Sequence, residues 1–187
     1  MDPFGHSNGN PRLFADMGFD AWFFSRLDFQ DLEKRSVDKS MQFVWQPFNK
    51  HLNTSSQIFT HISTNGYCYI PFIFWFDDRF CCDSPVITDP TLETFTGDEK
   101  VELFTAWIYE QLDIYQGDEI FVMMGCDFTY SNAHYNFKSV DRFIKYFNDH
   151  SPNITVFYST PGTYLDALKK QNLSYPVKTA DMFPYAD

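Results

Sequence analysis

Three charged residues stand where apolar runs of the chain give out: Asp127 after FVMMGC, Arg26 after AWFFS, and Asp2 in MDPFGHS, which would follow a strand if one precedes it. A carboxyl at the end of a buried strand is placed for proton transfer, because burial raises its pKa toward the range a general acid needs. An arginine at a neighbouring strand end can keep such a carboxylate ionised and aimed through charge-assisted hydrogen bonds. Each residue also has an ordinary structural role open to it. Asp127 fits a helix N-cap or turn aspartate, Arg26 a surface residue or structural ion pair, and Asp2 a disordered terminal residue. His6, a lone histidine near the terminus, is a poor metal ligand by itself. From the residues alone, the chain is an α/β domain with candidate carboxylates.

The elements that must position these side chains follow from hydrophobic spacing. PRLFADMG has helical spacing at Leu13, Phe14 and Met17 and stops at Gly18, a natural helix end. FDAWFFSRL is a short apolar run, expected to be a buried strand over residues 19–25. LDFQDLEKRSVDKS is polar and helix-compatible, and FVWQPF and QIFTHI are further apolar stretches separated by a polar turn. Residues 65–95, rich in Pro, Asp and aromatics, form a long irregular excursion of the kind that is usually functional or poorly ordered. KVELFTAWIYEQLDIYQ keeps one helical face apolar through Phe104, Trp107, Ile108, Leu112 and Tyr115. EIFVMMG predicts a strand over 119–125, FKSVDRFIKYFN an amphipathic helix, ITVFYST a strand over 154–159, and TYLDALKKQN a last helix. Buried strands alternating with amphipathic helices imply β-α units and a parallel sheet or barrel. Such folds gather their chemistry where strands end, so Asp2, Arg26 and Asp127 are expected to converge at one mouth.

With 187 residues the chain can bury a sizeable core, and its 44% hydrophobic and 20% aromatic content argues against disorder. Its net charge of −11 disfavours nucleic acid or an anionic membrane surface as a partner. The longest apolar run, YCYIPFIFWF, is about half the length of a membrane span and contains a proline. No secretory leader is expected in this sequence, since no apolar h-region opens it. Three Asn-x-Ser/Thr sequons, at Asn53, Asn153 and Asn172, lean toward secretory exposure. The four cysteines, Cys68, Cys81, Cys82 and Cys126, contain no CxxC pair and so no zinc ribbon. Their spacing allows a local disulfide from Cys68 to Cys81 or Cys82, or free buried thiols.

Three segments together carry a family resemblance. DPFGHS with LFADMGFDAWFFSRLDFQD, then MGCDFTYSNAHYNFKSVD, then FYSTPGTYLDALKKQNLSYPVKTADMFPYAD resemble, in order, glycoside hydrolase family 38, the class II α-mannosidases, and favour its lysosomal-type branch. The resemblance implies that residues 1–187 form a single domain, an internal part of the catalytic domain, built on a partial (β/α)7-type parallel barrel. It implies that Asp2 is the catalytic nucleophile and a zinc ligand, Asp127 the acid/base, and Arg26 the partner that keeps Asp2 ionised and oriented. Phe4 would line the sugar subsite. Asp78, in FWFDDRFCC beside Cys81, is a further substrate-contact candidate, although Phe76 stands where the family has a cysteine. Zinc would grip mannose ring hydroxyls, and the substrate would be a mannose-containing oligosaccharide met in the lysosome, vacuole or secretory pathway. Two carboxylates about 5–5.5 Å apart suit hydrolysis with retention of configuration. The sequence departs from the family in one important respect: neither the His-x-Asp nor the His-Asp zinc motif occurs in it, which leaves Asp2 alone of four expected ligands. The isolated chain is therefore expected to be a poor enzyme. A non-catalytic derivative that binds carbohydrate or a protein partner is the alternative.

Overall fold

The computed structural model describes residues 1–47, 56–64, 66–68, 74–76 and 84–186. They fall into two compact units: Met1–Tyr67 with Gln111–Phe121 and Pro161–Asp187, and Cys68–Glu110 with Val122–Thr160. Among the described residues no helix is long and apolar enough to cross a membrane.

The first unit is built on a four-stranded open sheet, confirming the α/β class. β1 (Ala21–Phe24), β2 (Gln42–Trp45), β3 (Ile58–Ile62) and β4 (Val177–Lys178) lie in the order β1-β3-β2-β4. β1 pairs parallel to β3 with Ala21 opposite Phe59, and β2 pairs parallel to β4. The sheet is not wholly parallel, because β2 runs antiparallel to β3. Helix α1 (Gly9–Asp16) ends as its sequence suggests. Gly18 takes φ +86°, which lets its N–H reach Ala15 O at 3.0 Å while Phe19 N–H reaches Phe14 O at 3.0 Å. That left-handed closure suits a glycine and satisfies two terminal carbonyls. Helix α2 (Phe29–Val37) starts on Asp28, whose carboxylate accepts from the N–H groups of Gln30 and Asp31. The core gathers Phe24, Leu27, Met41, Phe43, Trp45, Ile58, Ile62, Tyr115 and Met182. His61 is buried within this unit, stacked on Tyr115 at 4.9 Å, and desolvation lowers its pKa to about 3.

Helix α3 (Gly97–Ile114) begins in the second unit and ends in the first. Its expected apolar face is the buried one: Phe104, Trp107 and Ile108 are all under 9% exposed. Helix α4 (Ala133–His150) buries Val140, Phe143 and Phe147. Phe74, Phe104 and Phe143 meet edge to face at centroid distances of 5.0–5.4 Å. In the first unit, helix α5 (Pro161–Lys170) buries Tyr164, Leu165 and Leu168.

Among the described residues, two expected strands are absent. Residues 119–125 and 154–159 join no ladder, and Thr155, Phe157, Tyr158 and Ser159 are exposed. An apolar run becomes a strand only where another backbone offers it hydrogen bonds. Val156 instead has its backbone groups bonded by a side chain, Asn148, whose carboxamide donates to Val156 O and accepts from Val156 N–H, each at 2.8 Å. The cysteine pairing also differs from the local one allowed by spacing: Cys68 is bonded to Cys126, 58 positions away. Cys81 and Cys82 lie outside the described residues.

Candidate functional site

The loop that carries Asp2 is anchored rather than loose. His6 and Met182 exchange backbone hydrogen bonds of 3.1 and 2.8 Å, forming an isolated antiparallel bridge. Asn8 adds three more ties: its N–H meets the Asp181 carboxylate, its amide donates to Thr179 O at 2.6 Å, and its Oδ1 accepts from Trp45 Nε1 at 2.8 Å. Gly5 has φ +98°, and a Cβ there would lie 2.3 Å from the Phe183 ring. Glycine is therefore required at this turn, both by conformation and by space.

Arg26 stands two residues beyond the end of β1 and organises the cluster. Its Nε–H donates to Asp2 Oδ1, its Nη1–H donates to the Tyr185 hydroxyl at 3.2 Å, and its guanidinium lies 4.7 Å from the centroid of the Phe4 ring. The Phe4 and Tyr185 rings are 5.7 Å apart, so aromatic faces border the ion pair. The Asp2 side chain is 51% exposed and that of Arg26 28%, so the pair contributes only about 0–1 kcal/mol to stability. Its value lies in orientation: the guanidinium fixes where the carboxylate points. Phe4 is 63% exposed and offers an open aromatic face beside that carboxylate.

His6 supports the same cluster from beneath. It is buried, and its Nε2–H donates to the backbone carbonyl of Arg26 at 3.0 Å. Its ring packs 3.9 Å from Phe24 and edge-on to Trp22. Desolvation holds its pKa below the usual histidine value, partly offset by the Arg26 carbonyl. Its buried, hydrogen-bonded ring is a structural brace.

Asp127 belongs to the second unit and sits in a run of turns before α4. It is not the N-cap of that helix, since Asn132 occupies that position. Thr129 closes the turn: its hydroxyl accepts from Cys126 N–H at 3.0 Å and donates to Cys126 O at 2.8 Å. The Tyr130 hydroxyl donates to Met124 O at 2.7 Å, and the Cys68–Cys126 disulfide ties the position beside Asp127. Asp127 is exposed, not buried as its place after an apolar run suggests.

Asp2, Phe4 and Arg26 thus come together within the first unit, Asp127 stands in the second, and Asp78 lies outside the described residues. Sequence reasoning missed Tyr185 and Phe183. Both lie in the DMFPYAD stretch, but no spacing rule connects residues 183–185 with residues 4–26.

The family model for the glycosyl hydrolases family 38 N-terminal domain matches residues 1–187. The chain is similar to lysosomal alpha-mannosidases of Dictyostelium discoideum, 37% identical over 189 residues, and Homo sapiens, 38% identical over 190. It is also similar to an alpha-mannosidase of Arabidopsis thaliana, at 40% identity over 189 residues. Each alignment covers 100% of this chain but only 18–19% of the relative's own length. On that full-length match, the chain belongs to the glycosyl hydrolase family 38 N-terminal domain family.

Proposed function

We propose that this chain is part of the catalytic domain of a retaining α-mannosidase acting on terminal α-mannose of N-glycan or glycoprotein-derived oligosaccharides. The observation that carries the reading is the Asp2 carboxylate held by Arg26, with the exposed Phe4 ring on the same guanidinium. That arrangement suits a nucleophile that must stay ionised and aimed beside a surface on which a sugar ring can stack. Asp2 attacks the anomeric carbon as the bond to the leaving oxygen breaks, and the Asp127 carboxyl gives that oxygen its proton. Water then yields a proton to the Asp127 carboxylate while its oxygen displaces Asp2, so configuration is retained and both side chains end as they began. Phe4 lines the sugar subsite, and Asp78 is a further substrate contact. Residues 1–187 are read as one domain, the open sheet being part of a (β/α)7-type barrel. The lysosome, or another secretory compartment, is the proposed location. The names of the relatives and the Cys68–Cys126 disulfide support it.

Zinc dependence comes from family membership and is weighed against the residues here. A zinc site takes three or four protein ligands. Among the described residues no three His, Cys, Asp or Glu side chains gather as one, and Asp2 is the single ligand the resemblance assigns. These residues do not by themselves fit the metal, and neither chemical step above uses it.

The test compares the chain alone with the same residues joined to segments carrying both zinc motifs. The joined protein is expected to bind one zinc and release phenolate from a chromogenic α-mannoside. A fluorinated mannosyl fluoride should label it at Asp2, and Asp2→Asn should abolish labelling. The chain alone should do neither. Robust turnover by the chain alone, or label on another carboxylate, overturns the assignment. Mannoside binding without turnover by the joined protein favours a binding module instead.

A further inference from the structure

We propose that Asn153 carries an N-linked glycan. Asn153-Ile154-Thr155 is a complete acceptor sequon, with isoleucine rather than proline in the middle and Val156 after the threonine. Such a sequon is used only where its carboxamide is accessible, which is a structural question. Asn153 lies at a bend just after α4 and is exposed, as are Pro152 before it and Thr155 after it. No hydrogen bond engages its side chain among the described residues, so the amide nitrogen is free to be substituted. The bend itself is held from both sides. Ser151 N–H bonds to Phe147 O at 2.8 Å, and the Asn148 carboxamide bonds both backbone groups of Val156. The sequon is therefore presented at a fixed bend, with Pro152 and Thr155 exposed on either side of Asn153.

The surroundings leave room for a sugar. Asn153 lines an open groove of about 410 Å³ together with Tyr109, Ala106, Val101, Pro152 and Ile154. Tyr109, 53% exposed, offers an aromatic face at that groove. A first N-acetylglucosamine attached here would extend over an open groove whose lining includes the exposed Ala106, Tyr109 and Pro152.

A second, independent observation concerns the compartment. A structural disulfide such as Cys68–Cys126 is favoured in an oxidising environment, the same one in which sequons are modified. The inference rests on the proposed secretory location but not on the catalytic assignment. In the transfer, the Asn153 Nδ2 bonds to the reducing-end sugar carbon of a lipid-diphosphate-linked oligosaccharide. The bond from that carbon to the diphosphate breaks, the lipid diphosphate leaves, and Nδ2 loses one proton.

The experiment expresses the full chain in secretory eukaryotic cells and releases N-glycans enzymatically in heavy-oxygen water. Peptide mass spectrometry should find heavy-oxygen aspartate at position 153. Asn153→Gln and Thr155→Ala should each lose one glycan's shift on gels, while Thr155→Ser should retain it. Glycans at Asn53 or Asn172 with none at Asn153 would overturn the inference while leaving the secretory location standing. A secreted-route protein bearing no glycan at all would overturn both.

Discussion

AWFF in the first unit and ITVFYST in the second are both short runs rich in aromatic residues, yet they end up in different states. AWFF becomes β1 because β3 lies alongside in register, and its Phe24 is fully buried in the core. ITVFYST pairs with no strand, and Phe157 and Tyr158 are 59% and 54% exposed. Composition supplies the tendency, but a neighbouring backbone decides the outcome. In the second unit order comes mainly from helices packing on aromatic rings, with one side-chain amide standing in for a missing strand.

The largest effect should come from cutting the core under the paired run. Phe24→Ala should cost about 3–5 kcal/mol, since a fully buried phenylalanine is replaced by a cavity. Urea denaturation measures it, and a loss under 1 kcal/mol would mean β1 is not what holds the first unit. Next comes acid. His61 is neutral in the folded chain down to about pH 3, whereas the unfolded chain protonates it near pH 6.5. The unfolded state binds the extra proton, so stability falls as pH drops from 6.5 toward 3. At pH 5 the loss should be about 2 kcal/mol relative to neutral pH. His61→Leu should remove that share of the slope, leaving the carboxylate contribution. Gly5→Ala should cost about 1–2 kcal/mol through its φ of +98° and the Phe183 ring. Thermal denaturation reads the loss, and Phe183→Ala in the same chain should recover part of it. The smallest effect should be Asn148→Ala, about 1 kcal/mol for two exposed hydrogen bonds. Hydrogen exchange sharpens the contrast here: Val156 should exchange as fast as Phe157 in the variant, while the β1–β3 amides stay protected.

The sequence read well wherever one element carries its own signal. Gly18 ends α1, and the faces of α3 and α4 that spacing predicted are buried. Arg26 was named from the end of an apolar run and its pairing with Asp2 from the family resemblance, and the two side chains do meet. It read poorly wherever the answer depends on a distant partner. The antiparallel β2–β3 pair, the two-residue β4 and the Cys68–Cys126 bond all join positions that local pattern cannot relate. The failure at 154–159 has the same origin, because apolar alternation cannot report whether a partner strand is within reach. Asp127 illustrates the limit for chemistry: its place after an apolar run suggested burial, and the turn set by Thr129 leaves it exposed.

The bridge between His6 and Met182 also dictates a timetable. During synthesis the loop bearing Asp2 emerges well before its bracing partners Asp181, Phe183 and Tyr185. Contacts separated by so much chain form late, because a long loop must close before they return any free energy. A nascent polypeptide therefore carries an unaligned Asp2 until residues 179–186 leave the ribosome and fold back onto its loop.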